Sequence, residues 1–543
     1  MKVSLLHPDR DFDVKPELRD VIFDAMRSGG LLAFTRVLRD RQRGHQWAPP
    51  APGTDDVLAQ DLELGTLWNA MAAGDAFLFE TAKRAILSSL RDAEGVRYRQ
   101  RVLRDCLERP ETVRKLYGLA IEALENERKA DGGLWLTDRP DTTLRHSVQV
   151  LKLHVGVLRR LRQIAEQHGE DFRSEGFTRF FAMLRKELAD DYLQTVEQHL
   201  HELGFSRGVV ESARLAKGDK GRDYIVRRMP ERRWTERLPF GNRAPGFSFT
   251  IAPRDESGFR ALEEIRGRGI NLVANAVAQA ADHINSFFSM LRLELGFYLG
   301  CLNLHERLEQ KGEPTCFPEP VTESQPTLTA TGLYDVCLTL HIQDRVVGNE
   351  IQADGKSLVL ITGANQGGKS TLLRSLGLAH LMMQSGMFVA AGSLRASVCA
   401  GVFTHYKREE DSAMEGGKLD EELSRMSQIA DEIGPQSILL CNESFASTNE
   451  REGSEIARQV IRAMLDRRIR VFFVTHMYDL AQSFYEQQLG TALFLRAERA
   501  PDGRRSFKLL AGGPLPTSYG EDRYRRIFRR GDAAPATAAH SKW

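Results

Sequence analysis

Apolar residues recur at helical spacing through much of the first half of the chain. Between residues 55 and 205 they return at every third or fourth position, and the positions between them are mostly charged. One such stripe consists of Leu144, Val148, Leu151, Val155 and Leu158. This period places the apolar side chains on one face of a helix. It predicts a helical core of long amphipathic helices, which resumes over residues 259–312.

Other patterns interrupt and follow the helical core. Within residues 206–258, DYIVRRM and GFSFTIAP alternate apolar and polar positions, which predicts a small β-rich insertion. Four prolines in residues 313–330 predict a linker. From 331 to 530, short apolar runs alternate with helical patterns, as in an α/β domain with a largely parallel sheet. Residues 1–54 have no assigned fold, and the tail at 531–543 is expected to be disordered.

Composition narrows the class of protein. The 543 residues are 42% hydrophobic and 27% charged, as in ordinary globular proteins of several domains. Lys and Arg (75) nearly balance Asp and Glu (74), so a nucleic-acid partner would need a local basic patch. The six cysteines include no C-x-x-C pair, which argues against a zinc site and a disulfide framework. No segment resembles a signal peptide or a membrane span, so we expect a cytoplasmic protein.

The strongest motif lies at residues 363–371, which we call the glycine loop. GANQGGKST fits G-x-x-x-x-G-K-S, with an apolar strand before it and a helical pattern after it. Main-chain N–H groups of such a loop surround phosphate oxygens, while Lys369 would neutralise the β/γ-phosphates and the Ser370 hydroxyl would bind Mg²⁺. A chance match is the alternative, but it does not account for strand, glycines, lysine and serine together. The predicted nucleotide-binding residues are Gly363, Ala364, Asn365, Gln366, Gly367, Gly368, Lys369, Ser370 and Thr371.

Two further apolar strands predict the rest of the same site. SILLCNES ends in Asn442 and Glu443, where P-loop enzymes usually carry an aspartate that holds Mg²⁺. Asn442 would act through water and bind the metal more weakly, because it lacks the negative charge. Glu443 would polarise the attacking water. RVFFVTH ends in His476, and a histidine at the carboxyl end of a strand beside a phosphate loop favours a γ-phosphate sensor over a purely structural histidine.

Together these segments resemble the ATPase domain of the MutS family, the mismatch-repair relatives of ABC ATPases. GANQGGKST, LLCNESFASTNERE and THMYDL match its phosphate loop, its Walker B and D-loop, and its histidine switch. VFTHYKREED matches the segment before its signature. VVGNEI resembles the strand beside the adenine, which adds Asn349 to the expected nucleotide contacts. DLELGTLWNAMAAGD resembles the helical core, and the β-rich insertion lies where the family places a clamp within its helical lever.

The resemblance implies cofactors and partners. ATP and Mg²⁺ would bind in a homodimer in which each signature segment completes the other subunit's site. Duplex or branched DNA, contacted through its backbone, would be a partner, with repair proteins as further partners. The signature corresponds to GGKLDEELSRM, with Gly417 in place of the family's serine, followed by Lys418 and Glu422. An ordinary helix start would explain the same segment, and Ser412 lies near enough to be the serine instead.

The family's mismatch-reading domain has no obvious counterpart in the chain. The two Phe-x-Glu tripeptides, at Phe317 and Phe484, are in the wrong positions for the mismatch finger. Mismatch recognition is therefore not predicted from these residues.

A basic segment lies within the β-rich insertion. KGDKGRDYIVRRMPERRWTER carries eight basic and four acidic residues, with aromatic residues between them. Arginines beside aromatic rings suit contact with phosphates and bases, whereas a solvated charged loop is the alternative. The residues predicted to contact DNA are Arg227, Arg228, Arg232, Arg233 and Trp234.

The sequence thus predicts a DNA-binding ATPase that hydrolyses ATP slowly at composite dimer sites. Hydrolysis would drive a clamp-type conformational change in DNA repair or recombination. Asn442 leaves a second function open, a nucleotide-binding switch or scaffold with little turnover that acts through protein partners. An unrelated P-loop kinase is disfavoured by the signature-like segment and by His476.

Overall fold

The chain divides into two compact units. The computed structural model describes residues 1–10, 54–130, 139–205, 208–218, 221–228, 248–323, 325–408, 417–499 and 505–516. The first unit comprises Met1–Gln46 and Arg109–Leu295, and the second comprises Trp47–Glu108 and Gly296–Trp543. This division crosses the predicted helical core, because the helices before Arg109 belong with the unit that contains the glycine loop.

Four helices open the second unit. They are α1 (Thr54–Asp61), α2 (Leu64–Ala72), α3 (Ala76–Leu87) and α4 (Ala93–Glu108). The carboxylate of Asp75 begins α3 by accepting hydrogen bonds from the N–H groups of Phe77 and Leu78. Such a cap satisfies N–H groups that have no partner within the helix. The apolar faces of these helices are buried, as at Leu67 and Trp68 on α2.

The first unit is built mainly from helices. It contains α5 (Pro110–Ala130), α6 (Pro140–His168), α7 (Glu175–Glu187) and α8 (Asp190–Glu202), the antiparallel strands β1 (Val210–Leu215) and β2 (Gly221–Arg227), and most of α9 (Glu256–Gln310). The apolar stripe predicted over 144–158 is buried on α6. Residues 248–253, from the second predicted strand of the insertion, form no strand. Among the described residues no strand pairs with them, and Phe249 is exposed.

Two sheets with their helices complete the second unit. Its elements are β3 (Glu319–Val321), β4 (Leu328–Leu333), α10 (Val336–His341), β5 (Asn349–Gln352), β6 (Leu358–Gly363), α11 (Lys369–Gln384), β7 (Ser393–Ser397), β8 (Val402–Tyr406), α12 (Lys418–Glu432), β9 (Ile438–Asn442), α13 (Glu450–Asp466), β10 (Arg470–Val474), α14 (Tyr478–Glu486), β11 (Ala492–Arg499) and β12 (Arg505–Ala511). The larger sheet has the order β12-β11-β6-β10-β9-β8 and is parallel except for the edge strand β12. The smaller sheet has the order β3-β7-β4-β5. A largely parallel sheet is therefore present, as predicted.

The central strands of the larger sheet are apolar along their whole length. All five residues of β10 are buried, as are the first four of β9. Helices cover both faces of such a sheet, so its strands show no alternation of apolar and polar side chains. Because the strands run parallel, their carboxyl ends meet at one edge of the sheet.

Residues 313–330, where four prolines predict a linker, contain β3 and the first residues of β4. Strand β3 pairs only with β7, at the edge of the smaller sheet. An edge strand accepts proline because one side of it needs no N–H for pairing. The segment therefore belongs to the smaller sheet rather than connecting two domains. No helix among the described residues is long and apolar enough to cross a membrane.

Candidate nucleotide site

Four parallel strands end beside one another at the edge of the larger sheet. The glycine loop follows β6, Glu443 follows β9, His476 lies just beyond β10, and Lys407 follows β8. Main-chain hydrogen bonds join these ends, from Lys407 N to Asn442 O at 2.9 Å and from Thr475 N to Ile361 O at 3.1 Å. Ligands of open parallel sheets bind at this edge. The structure thus brings together motifs that are spread over more than a hundred residues of the sequence.

The glycines of the glycine loop are required by both conformation and space. Gly363 and Gly368 have φ angles of 106° and 89°. A Cβ on Gly363 would lie 2.8 Å from the main-chain N of Ala497, and one on Gly367 would lie 2.6 Å from the Cβ of the same residue. Gly368 precedes α11, and no side chain caps that helix. The first N–H groups of α11 are therefore arranged to receive an anion.

Lys369 folds back over the glycine loop. Its side chain is only 5% exposed, and Nζ donates to the carbonyl oxygens of Gly363 at 3.0 Å and Ala364 at 3.1 Å. Burial lowers the pKa of Lys369, while the negative charge of Glu443 opposes that effect. The ammonium group lies within the loop predicted to surround the phosphates.

Ser370 and Asn442 meet across the site. The Ser370 hydroxyl donates to Oδ1 of Asn442 at 2.8 Å. Mg²⁺ binds oxygen ligands, keeps several waters and usually takes only one or two protein ligands beside substrate phosphates. A hydroxyl and an amide oxygen at this distance fit such an ion. The described residues contain no cluster of three or more His, Cys, Asp or Glu side chains that would form an all-protein metal cage.

Glu443 and His476 form the other side of the site. Glu443 Oε2 lies 3.8 Å from Nδ1 of His476, and both side chains are partly exposed. His476, more than the positive charges of Lys369 and Lys407, holds the pKa of Glu443 below its usual value despite partial burial. The Glu443 side chain is therefore an ionised carboxylate near neutral pH.

The turn that carries Glu443 is strained. Glu443 and Phe445 have φ angles of 54° and 63°, in the left-handed region. Such conformations in residues other than glycine cost free energy and cluster at functional sites. Gly453 on α13 makes room for this turn, because a Cβ there would lie 2.3 Å from the carbonyl oxygen of Phe445.

The predicted signature segment begins α12. Gly417 is its N-cap residue and Lys418 its first residue, while Glu422 is buried and accepts a hydrogen bond from the Ser447 hydroxyl at 2.9 Å. Ser412, the alternative signature serine, lies outside the described residues. The structure therefore connects the signature helix directly to the loop after β9.

His405, which the sequence did not single out, makes a second connection. Its Nε2 donates to the Glu422 carbonyl oxygen at 2.9 Å, and Nδ1 lies 2.7 Å from the Ser444 hydroxyl. Burial lowers the pKa of His405 to about 4, so the ring is neutral at pH 7. A lone buried histidine carries no motif by which it would be found from sequence.

Two further residues beside the site were missed. Lys407 adds a positive charge next to Glu443 and lowers its pKa. Phe507 on β12 is 47% exposed with a φ of 60°, and its carbonyl oxygen would lie 3.2 Å from a Cβ on Gly368. Lys407 lies in the segment VFTHYKREED, which was matched only as a whole, and Phe507 belongs to an edge strand outside the motifs.

Asn349 holds the strand that carries Phe507. Its side chain is buried, Nδ2 donates to the Phe507 carbonyl oxygen at 3.2 Å, and Oδ1 accepts from the N–H of Leu509 at 2.8 Å. The amide predicted to lie near the adenine is thus bonded to the main chain of β12. It contributes to the site by fixing that strand beside the glycine loop.

The basic segment is described in part. Arg227 on β2 donates to the Ser212 hydroxyl at 2.9 Å, and Arg228 pairs with Glu202 at 2.7 Å, both at exposed positions. Exposed pairs of this kind contribute little free energy, so both arginines remain available to phosphates. The other predicted DNA contacts, Arg232, Arg233 and Trp234, lie outside the described residues.

Comparison with known proteins finds matches in both units. A family model described as MutS2 N-terminal domain matches residues 91–311, and one described as MutS domain V matches residues 359–522. MutS protein homolog 4 of Mus musculus is 25% identical over 43% of this chain and 24% of its own length. DNA mismatch repair protein MutS of Protochlamydia amoebophila is 27% identical over 45% of this chain and 31% of its own length. Endonuclease MutS2 of Thermus thermophilus is 32% identical over 25% of this chain and 18% of its own length. The matches thus cover less than a third of the length of each relative.

Proposed function

Because this chain belongs to the MutS family, we propose that it is a DNA-binding ATPase that hydrolyses ATP slowly at composite sites of a homodimer. Hydrolysis drives a clamp-type conformational change in DNA repair or recombination, with α5 to α9 as the lever and the β1–β2 hairpin as the clamp. The observation that carries the proposal is the hydrogen bond between Ser370 and Asn442, made where the ends of β6 and β9 meet.

Each side chain of the site has a role in this proposal. The N–H groups of the glycine loop and Lys369 bind the β- and γ-phosphates, and Ser370 and Asn442 would hold Mg²⁺, the latter through water. Bound Mg²⁺ would offset the negative charge of the phosphates. Glu443 orients and polarises the attacking water, and His476 contacts the γ-phosphate.

Slow turnover follows from Asn442. A neutral amide replaces the carboxylate that would strengthen metal binding, so the metal site is weaker while the residues that act on water are kept. Fewer of the sites would then carry Mg²⁺, so less of the phosphate charge would be neutralised. Lys407 adds positive charge in the same region, since its charge already acts on Glu443.

The dimer is supported by the start of α12. Gly417 is exposed, and the N-terminus of this 15-residue helix offers N–H groups without a side-chain cap. Such an end favours a phosphate. In the proposed dimer, Gly417 and Lys418 contact the γ-phosphate bound by the other subunit, and Glu422 holds their helix against the loop after β9.

A magnesium titration of phosphate release tests the proposed activity. Asn442→Asp should lower the Mg²⁺ concentration needed for half-maximal release, because a carboxylate returns to the metal site. Glu443→Gln should keep ATP binding but stop release. Lys369→Ala, which loses the loop's ammonium group, gives the background from contaminating enzymes. The proposed activity is wrong if neither the parent nor Asn442→Asp exceeds that background, with or without DNA.

Asn442 also favours a second function, a nucleotide-binding switch that acts through protein partners with little turnover. The same titration separates the two. Release by Asn442→Asp but not by the parent, together with ATP-driven dimerisation of the parent, would identify the switch.

DNA binding is tested by its salt dependence. Replacing Arg227, Arg228, Arg232 and Arg233 with Ala should weaken binding and flatten the plot of log K against log salt by about 0.9 for each phosphate that the variant no longer neutralises. The matched control replaces four exposed arginines of the same unit, Arg145, Arg179, Arg260 and Arg268. Equal slopes for the parent and the first variant would show that DNA is not bound through the basic segment.

A further inference from the structure

The turn between α1 and α2, residues 61–63, contacts α11 and lies near Arg425 of α12. We infer that this turn couples the N-terminal helices to the nucleotide, through α11 after the glycine loop and α12 after the signature segment. The inference rests on the proposed function, since it requires that ATP binds there. Its three residues, Asp61, Leu62 and Glu63, each make a different contact.

Glu63 reaches the helix that follows the glycine loop. Its carboxylate pairs with Nη1 of Arg374, one helical turn beyond Ser370. The Nε of Arg374 donates at 2.5 Å to Asp335, which is fully buried and caps α10. The guanidinium of Arg374 therefore pairs with two carboxylates, that of Asp335 and that of Glu63 in the turn. Glu63 itself has a left-handed φ of 53°, so its placement is maintained at a cost.

Leu62 fixes the main chain of the turn to the same helix. Its side chain is fully buried, and a Cβ on Gly377 of α11 would lie 2.9 Å from it. The Cys337 thiol donates to the carbonyl oxygen of Glu63 at 3.5 Å. Close packing of this kind transmits displacement rather than absorbing it. A shift of α11 would therefore move the turn.

Asp61 ends α1, which packs against β8. Burial raises the pKa of Asp61, and the hydroxyl of Thr404 on β8, followed by the positive charges of Arg425 on α12 and Arg408 after β8, opposes that rise. Arg425 also donates to the Tyr406 carbonyl oxygen at 2.6 Å. Among the described residues, Oδ2 of Asp61 is buried and has no hydrogen-bond partner. A buried acceptor left in this state gains a bond if an arginine moves toward it.

Glu63 thus pairs with Arg374 on α11, and Asp61 interacts electrostatically with Arg425 on α12. A turn that only stabilised the fold would be indifferent to nucleotide. In the proposed function both helices start at groups that contact phosphate, and their displacement on ATP binding changes the Glu63–Arg374 ion pair and the charges around Asp61 together. Helices α1 and α2 would then respond to the nucleotide without touching it.

Hydrogen exchange of α1 and α2 in the full chain tests this coupling. In the parent, ATP with Mg²⁺ should slow exchange of their N–H groups. Glu63→Gln should bind ATP with nearly the parent's affinity, lose the ATP-dependent change in exchange, and hydrolyse ATP about tenfold more slowly, within the usual range of coupling between sites. Because Asp335 still holds Arg374, this variant is expected to fold, and Glu63→Asp should restore part of the effect. Glu80→Gln, at an exposed position on α3, is the matched control.

The outcomes separate this inference from the proposed function. If ATP binds and the exchange of α1 and α2 does not respond, the coupling is wrong and the ATPase proposal is unaffected. If Glu63→Gln loses ATP affinity and thermal stability in parallel, the turn is only structural and the inference is again wrong. If a fluorescent ATP analogue does not bind the parent at all, the proposed function fails and the coupling fails with it.

Discussion

Glu443 keeps its negative charge through its neighbours. His476 is the largest influence on its pKa, followed by partial burial, which acts in the opposite direction, and by the charges of Lys369 and Lys407. A carboxylate held ionised in this way accepts hydrogen bonds from water across the neutral pH range. Asn442 beside it cannot titrate. The charge of this residue pair, Asn442 and Glu443, is therefore constant around neutral pH.

Removing His476 should move the acid limb of the pH profile. In the parent the pKa of Glu443 lies below its usual value, so turnover should not fall through protonation of Glu443 at mildly acidic pH. In His476→Asn the main lowering influence is lost while burial still raises the pKa of Glu443, so the limb should move to higher pH. Turnover at saturating ATP, measured from pH 4.5 to 8 in both proteins, checks this. An unmoved limb together with reduced activity would mean that His476 acts only on the phosphate.

The residues that carry motifs were predictable, and those that support them were not. Apolar strands precede the motif residues Lys369, Ser370 and Glu443 at a fixed spacing. This spacing is sufficient to predict their roles. His405 and Asn349 act through hydrogen bonds to main-chain atoms of segments far away in sequence. No local pattern in the sequence indicates such distant partners. The sequence therefore placed Asn349 near the adenine, whereas in the structure its side chain is hydrogen-bonded to the main chain of β12.

At the scale of elements, the strained turn after β9 depends on the helix behind it. The Phe445 carbonyl oxygen lies where a Cβ on Gly453 would be, at 2.3 Å. Helix α13 begins with Asn449 capping the N–H of Glu452, which fixes where Gly453 falls. The position of Glu443 is thus set partly by the start of α13.

Gly453→Ala should disturb this turn. The added methyl group cannot be accommodated without movement of the Phe445 main chain, and overpacking of this kind costs about 1–3 kcal/mol. We expect a lower free energy of unfolding and a larger loss of turnover than of ATP binding. Urea unfolding and phosphate release measure the two effects. Gly65→Ala is the control, because that helical glycine has no atom within 4 Å of an added Cβ, and equal behaviour of the two variants would contradict this expectation.

Long elements followed from periodicity, whereas short ones did not. The stripe on α6 and the apolar runs of β6, β9 and β10 were visible because each repeats a pattern or buries a whole strand. Strands β3 and β5 have three and four residues. Strands of this length are too short to show the alternation of apolar and polar residues that predicts a strand. The prolines near β3 therefore indicated a linker rather than a strand.

At the scale of the whole molecule, buried histidines make the second unit sensitive to acid. Burial lowers the pKa of both His380 and His405 to about 4. In the unfolded chain the pKa of a histidine is near 6.5. Between that pH and about 4, the unfolded state therefore binds protons that the buried histidines of the folded state do not bind. Their contribution is fully present above pH 6.5 and is lost as the pH falls toward 4.

Stability should therefore decrease between pH 7 and pH 5 by about 2 kcal/mol for each of the two histidines. Urea unfolding at both pH values, followed by a signal from the second unit, measures the change. His380→Gln cannot titrate and should show a smaller loss. Identical losses for the parent and His380→Gln would show that His380 does not contribute.

The packing of α1 along the edge strand β8 limits how the molecule can be divided. The sequence suggests an autonomous domain beginning near residue 331, and a fragment cut there would lack α1 and α2. Strand β8 would then present an uncovered row of main-chain groups to other chains, which is a template for aggregation. Arg374 would lose Glu63, and the apolar surface beneath Leu62 would open to water. We therefore expect that the nucleotide-binding part of this protein does not fold as an independent fragment, and that a soluble fragment needs helices that lie more than two hundred residues earlier in the sequence.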